Sequence, residues 1–269
     1  MADRVTRFAP SPTGPLHLGH AYAALVAARR GDRFLLRIED IDTPRCKPAW
    51  EAAIYADLRW LGLAWETPVM RQSMRLPAYT AALAQLGAMG LTYACTCSRG
   101  DIRAALSAPQ EGVTGPDGPV YPGTCRGKSG AGAIRLNMAK AMARLGVVDF
   151  TDQTRHAFDA DFMQQHVGDI VLARRDIGCS YHLAVVVDDA AQGITEITRG
   201  LDLQPATPIH VALQRLLSLP TPLYHHHPLI RDAQGKRLAK RDDARALSAY
   251  RAEGASPEDI RRMIFTPSA

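Results

Sequence analysis

The 269-residue chain is predicted to be a doubly wound α/β protein, and three observations predict it. Strand-like and helix-like segments alternate from the amino terminus, a proline- and glycine-rich loop stands between the first strand and the first helix, and the first two helical segments close on glycine. Alternation of this kind belongs to a parallel sheet covered by helices, which takes up ligands at the carboxyl ends of its strands.

Val5 to Ala9 reads as the first strand. The run Pro10-Ser11-Pro12-Thr13-Gly14-Pro15 continues no regular element, because its prolines fix φ and remove backbone donors. Leu18, Tyr22, Leu25 and Val26 then recur at helical spacing as far as Arg30, with Gly31 at the helix end. Phe34 to Ile38 is a buried strand. Thr43-Pro44 reads as an N-cap with proline at the first helical position, and Trp50, Ile54, Leu58 and Leu61 give that helix its apolar stripe before Gly62.

From Leu91 the pattern changes to a Cys-Thr-Cys turn, a polar Gly/Pro-rich stretch from Ala108 to Gly132, and short alternating segments up to Arg174. This reads as an inserted α/β module. Sheet-like character returns at Leu183 to Val187 and at Ile194 to Ile197, Val211 to Leu219 reads as a helix, and Ala244 to Ile264 as one or two short helices broken at Gly254 and Pro257. The expected organisation is residues 1–90 and 175–243 as two halves of a catalytic domain, 91–174 as the insertion, and 244–269 as a short helical end.

Composition narrows the class. A chain this long buries a large core, and 46% hydrophobic with 22% charged residues is globular rather than disordered. The opening residues lack the apolar core of a signal peptide, and the Ala-rich run Ala21 to Ala28 is too short to span a bilayer, so a cytoplasmic protein is expected. Five cysteines, an odd number, fit reduced thiols or a metal site better than a disulfide framework. The net charge of +5 is compatible with an anionic partner.

Two motifs carry chemistry. His17-Leu18-Gly19-His20 stands where the loop enters a helix, a place whose N–H groups and dipole favour phosphate, and Gly19 leaves the backbone open to a flat ligand. Lys236-Arg237-Leu238-Ala239-Lys240-Arg241 is a basic loop near the carboxyl end. Cys95, Cys97 and Cys125 supply three thiols in one module, where a structural zinc wants four ligands. His225-His226-His227 cannot bind one ion from consecutive strand positions, whose side chains alternate in direction.

Taken with Arg7 to Gly14, Arg37 to Asp42, Val185 to Asp189 and Ile197 to Gly200, these motifs follow the order and spacing of the glutamate-type class I aminoacyl-tRNA synthetases. The chain resembles that family from about Arg4 to Arg241. The resemblance implies a Rossmann-type catalytic domain and ATP-dependent activation of L-glutamate, with Mg as counter-ion to the ATP. It places His17, Gly19, His20 and Lys240 on ATP, with His17, His20 and Lys240 as the catalytic set. It places Arg7, Ala9, Ser11, Glu39, Tyr181 and Arg199 around glutamate: the two arginines on the side-chain carboxylate, Ser11 and Tyr181 as hydroxyl donors, Glu39 on the ammonium. It makes Tyr121 the fourth ligand of a zinc site with Cys95, Cys97 and Cys125. Arg237 and Ala239 depart from the family's usual Lys and Ser.

Only 269 − 241 = 28 residues follow Arg241, whereas an independent domain needs at least ~50, so no anticodon-binding domain is expected. The resemblance is accordingly to a short branch of the family that activates glutamate without tRNA and transfers it to the queuosine base of tRNA-Asp. Queuosine-containing tRNA-Asp is thus the expected partner, with no obligate protein partner and no membrane. Two other readings stand beside it: the core of an enzyme charging a tRNA 3′ end, and a tRNA-binding pseudoenzyme.

Overall fold

Strand β1 (Val5–Phe8) is buried along its length, as are five of the six residues of β2 (Arg33–Ile38). Such continuous burial is what parallel strands covered on both faces require. In the computed structural model, which describes residues 3–98, 100–102, 114–174, 178–230 and 245–265, β1 pairs parallel with β2 and β2 parallel with β3 (Glu66–Arg71). Helices α1 (Leu18–Arg30) and α2 (Pro48–Trp60) are the two crossovers.

The chain divides into two units: Met1–Met74 with Ile194–Asp202 and Tyr224–Ala269, and Arg75–Gly193 with Leu203–Leu223. In the first unit, strand Glu196–Gly200 runs beside β1, where Thr195 N–H donates to Val5 O at 3.0 Å and Arg7 Nη1 to Thr198 O at 3.2 Å. It pairs in turn with Leu223–His227. The lateral order is β3, β2, β1, then 196–200, so chain order reverses beside β1. A doubly wound sheet opens its ligand crevice at such a reversal.

The core of this unit packs Leu25, Phe34, Leu36, Ile38, Ile54, Leu58 and Leu61 against Leu247 and Ile260. The last two come from the carboxyl-terminal helices Leu247–Ala252 and Pro257–Phe265, which lie on either side of Gly254 as expected. Gly31 serves a close approach: a Cβ there would stand 2.3 Å from Thr6 Oγ1, which itself donates to Ala27 O at 2.8 Å and ties α1 to β1.

Two expectations are corrected. Helix α2 begins at Pro48 rather than after Thr43, because residues 42–46 close a turn on Asp42 O and the second proline takes the first helical position. Lys47, before that proline, is extended, as a residue preceding proline prefers. Leu183 to Val187 is not a strand but part of helix Tyr181–Ala191, capped by Ser180. That helix is buried nearly all round, so its apolar run lacks the period that separates helix from strand.

In the second unit, strands Val171–Ala173, Ala133–Leu136 and Thr92–Cys95 form an antiparallel sheet with the middle one central. Helices Leu76–Ala88, Met138–Leu145, Tyr181–Ala191 and Thr207–Leu216 accompany it. Asp188, buried on the third of these, holds Tyr79 Oη at 2.7 Å and Arg75 Nε at 2.9 Å. Gly132, at the start of the central strand, lets the backbone pass Cys95: a Cβ would lie 1.9 Å from Cys95 O. Gly132→Ala must therefore displace the strand carrying the Cys-Thr-Cys turn. Forcing a methyl into a filled space costs about 1–3 kcal/mol, so thermal unfolding is expected to shift down by roughly 5 °C; an unchanged midpoint would show that the strands separate freely here. No helix among the described residues is long and apolar enough to cross a membrane.

Candidate active site and metal centre

The loop after β1 meets α1 at His17, which is the N-cap. Its Nδ1 accepts from Gly19 N–H at 3.1 Å, while His20 Nδ1 accepts from His17 N–H at 3.3 Å, a reciprocal capping box made by two histidines. The rings lie against each other with centroids 3.8 Å apart and planes tilted by 35°. With each Nδ1 accepting, the proton of each neutral ring stands on Nε2, making that edge a donor. No acidic residue occupies the first turn, so the positive end of the helix dipole is not neutralised locally.

Arg7, Glu39 and Arg199 sit at or just beyond the carboxyl ends of β1, β2 and strand 196–200, and all three are buried. Arg37, wholly enclosed, donates from Nη2 to Glu39 Oε1 at 3.0 Å, and Glu39 N–H donates to Pro10 O at 3.0 Å. These bonds fix the carboxylate beside the loop that holds Ala9 and Ser11, the latter exposed. Arg199 Nε donates to His226 Nε2 at 3.1 Å, and its guanidinium lies 5.3 Å from the centroid of the Tyr224 ring. Asp40 binds Ser73 through N–H at 2.8 Å and Oγ at 2.7 Å, and Asp42 pairs with Arg45, so both are structural.

The structure thus brings Arg7, Ala9, Ser11, His17, Gly19, His20, Glu39 and Arg199 into one unit at one end of its sheet. Tyr181 belongs to the other unit, as the first residue of its helix, with its ring edge-on to His182 and His210. Arg237, Ala239 and Lys240 lie outside the described residues. Downstream of them, Ala246 bridges to His17 and Leu247 N–H donates to Leu16 O at 2.8 Å, so the chain returns from the basic loop onto the His17 turn. Arg37 and His226, noted in the sequence only as parts of a motif and of a histidine run, are the partners that hold Glu39 and Arg199. The histidine run does alternate, His226 toward Arg199 and His227 edge-on to Tyr22.

In the second unit Cys95, Cys97 and Cys125 have their sulfurs within 4.8 Å of one another, the one such metal-ligand cluster among the described residues. Tyr121 Oη lies 3.3 Å from Cys95 Sγ and 3.4 Å from Cys97 Sγ, and accepts from Cys125 N–H at 3.0 Å. Contact with the phenol, aided by Thr96, lowers the Cys125 thiol to about 6, while burial and the three sulfurs push Tyr121 far up. Zn–S bonds of ~2.3 Å at tetrahedral angles put sulfurs about 3.7–3.8 Å apart. Cys97 and Cys125 stand at 3.4 Å, so three thiols and a phenol fit one zinc with small movement. Outside this cluster Asp169, buried, receives Arg126 at 2.6 Å through both Nε and Nη2 and Tyr93 Oη at 2.5 Å. The Arg135 guanidinium stacks 3.9 Å from the Tyr121 ring centroid.

A parallel sheet with paired histidines at the first crossover and buried arginines at the strand ends defines a class I synthetase catalytic domain. Residues 4–266 match the family model described as tRNA synthetases class I (E and Q), catalytic domain, and the chain belongs to that family. Among its relatives, a protein of Rhodobacter capsulatus named glutamyl-Q tRNA(Asp) synthetase is 62% identical, over 97% of this chain and 99% of the relative. One of the same name from Nocardia farcinica is 45% identical over 96% of this chain and 82% of the relative. The crystal structure of a glutamate tRNA ligase from Elizabethkingia meningosepticum, in complex with its amino acid, superposes with a TM-score of 0.79 at 26% identity, covering 98% of this chain and 61% of that one.

Proposed function

We propose that this chain joins L-glutamate to ATP, without tRNA, and passes the glutamyl group to the queuosine base of tRNA-Asp. The 62% identity to the Rhodobacter capsulatus relative, over 97% of this chain and 99% of that one, carries this reading. In the first step an oxygen of the glutamate α-carboxylate bonds to the α-phosphorus of ATP as the bond to pyrophosphate breaks. In the second, a ring hydroxyl of the modified base attacks the acyl carbon and AMP departs.

Each residue then has a task that its surroundings support. Arg7 and Arg199 grip the side-chain carboxylate as charge-assisted donors. Glu39, held as an anion beside Arg37, receives the ammonium. Ala9 and Ser11 border the amino acid, and Tyr181 adds a hydroxyl. His17 and His20 donate from Nε2 to the phosphates over Gly19, with Mg as the ATP counter-ion, and Lys240 stabilises the charge that grows on the α-phosphate.

Cys95, Cys97, Cys125 and Tyr121 would hold a zinc ion, making the second unit a zinc-bearing module. Its chemistry there is structural: it would pin the turn after Thr92–Cys95 to the segment 121–125. Elemental analysis is expected to give about one zinc per chain, and Cys97→Ser to lose it.

The test is glutamate-dependent ATP–pyrophosphate exchange without tRNA, then transfer of labelled glutamate to queuosine-containing and queuosine-free tRNA-Asp in a cytoplasmic-like buffer. Exchange with transfer to the modified tRNA alone is expected. Transfer to a 3′ end would make the chain a charging core, and no exchange with any amino acid would make it a binding protein.

A further inference from the structure

A hydrogen-bonded chain in the second unit, not among the groups assigned above, ends beneath Tyr181. Asp117, on the turn between the short strands Thr114–Gly115 and Gly118–Pro119, places Oδ1 2.8 Å from His182 Nε2. His182 Nδ1 lies 2.9 Å from His210 Nε2. Both histidines are buried, and they come from the first turns of two helices. Because the carboxylate accepts from Nε2–H of His182, its Nδ1 accepts from His210, and the donors run in one direction along the chain.

That arrangement fixes the rotamer and tautomer of two rings at once, which a single contact does not. The Tyr181 ring rests on both, with centroids 5.5 Å from His182 at 64° and 5.8 Å from His210 at 67°. Edge-on packing against two rings whose planes are locked leaves the phenol little angular freedom. A hydroxyl that must meet a small substrate gains affinity when its ordering is complete before binding.

We infer that Asp117, His182 and His210 are positioning residues that hold the Tyr181 hydroxyl in place for glutamate. The inference rests on the assignment of Tyr181 to glutamate proposed above. Asp117 is half-exposed on a turn, so it can be changed with little risk to the fold.

The experiment measures exchange kinetics for Tyr181→Phe, Asp117→Ala, Asp117→Asn and the double variant Tyr181→Phe/Asp117→Ala, varying glutamate and ATP separately. Asp117→Ala is expected to raise the glutamate KM about tenfold with kcat and the ATP KM within about twofold, as loss of one well-placed hydrogen bond does. Asp117→Asn keeps the Oδ1 acceptor and restores most of the loss. In the Tyr181→Phe background, Asp117→Ala adds nothing further. If Tyr181→Phe leaves the glutamate KM unchanged, the assignment of Tyr181 fails and the inference with it. If Tyr181→Phe raises the KM but Asp117→Ala does not, or if the two effects multiply in the double variant, the inference alone is overturned.

Discussion

Replacing Arg199 by alanine is expected to raise the glutamate concentration for half-maximal exchange by roughly 10²-fold while the ATP requirement stays within about twofold. A hydrogen bond between charged groups contributes about 1.5–3 kcal/mol, and a guanidinium meets a carboxylate with two of them in parallel. The structure adds a reason for the upper part of that range. Nε of Arg199 is engaged by His226 at 3.1 Å and the plane is set over Tyr224, both from the neighbouring strand, so the fork is oriented before glutamate arrives. Arg199→Lys keeps the charge but not the fork and is expected to recover only part of the affinity. Since Arg199 is buried, thermal unfolding of both variants separates a lost contact from a lost fold. A glutamate KM unaltered in Arg199→Lys and Arg199→Ala alike would remove Arg199 from the pocket.

Much of this unit could be read from the sequence because its signals are local. Buried parallel strands give unbroken apolar runs, the prolines after β1 forbid regular structure, and the His17 turn announces itself where loop becomes helix. The three cysteines could be read as a cluster because thiols are few and all three lie in the one inserted module. What stayed hidden depends on partners far apart in the chain. The helix holding Leu183 to Val187 is buried nearly all round, so no exposed polar face marks its period. Arg126 with Asp169, Arg199 with His226 and Asp117 with His182 are each single polar residues joined only by folding. Burial decides their meaning: a charged residue met singly in a sequence is ordinarily exposed, whereas Arg37, Asp169 and Arg199 are enclosed and paired. The start expected at Thr43-Pro44 moved to Pro48 because residues 42–46 close a turn on Asp42 O instead.

Lys240→Ala is expected to lower exchange at saturating glutamate and ATP by roughly 10²–10³-fold, the usual cost of removing one preorganised stabiliser of developing charge. As ATP is attacked, negative charge concentrates on the α-phosphate and on the departing pyrophosphate. Groups that meet that charge only in the transition state change kcat rather than KM. In the proposed site the amino end of α1 supplies fixed donors, His17 and His20 through Nε2 and the helix dipole through its first N–H groups. Lys240 of the basic loop is the proposed complementary cation, and downstream of it Ala246 pairs with His17. An ammonium there acts as a point charge, so Lys240→Arg is expected to retain more activity than Lys240→Ala although it cannot match the geometry. Arg237→Lys, which restores the residue usual in related loops, is expected to change the rate by only a few-fold, because the charge is kept. If Lys240→Ala exchanges pyrophosphate within a few-fold of the unsubstituted protein, the charge on the α-phosphate is met by the His17 turn alone.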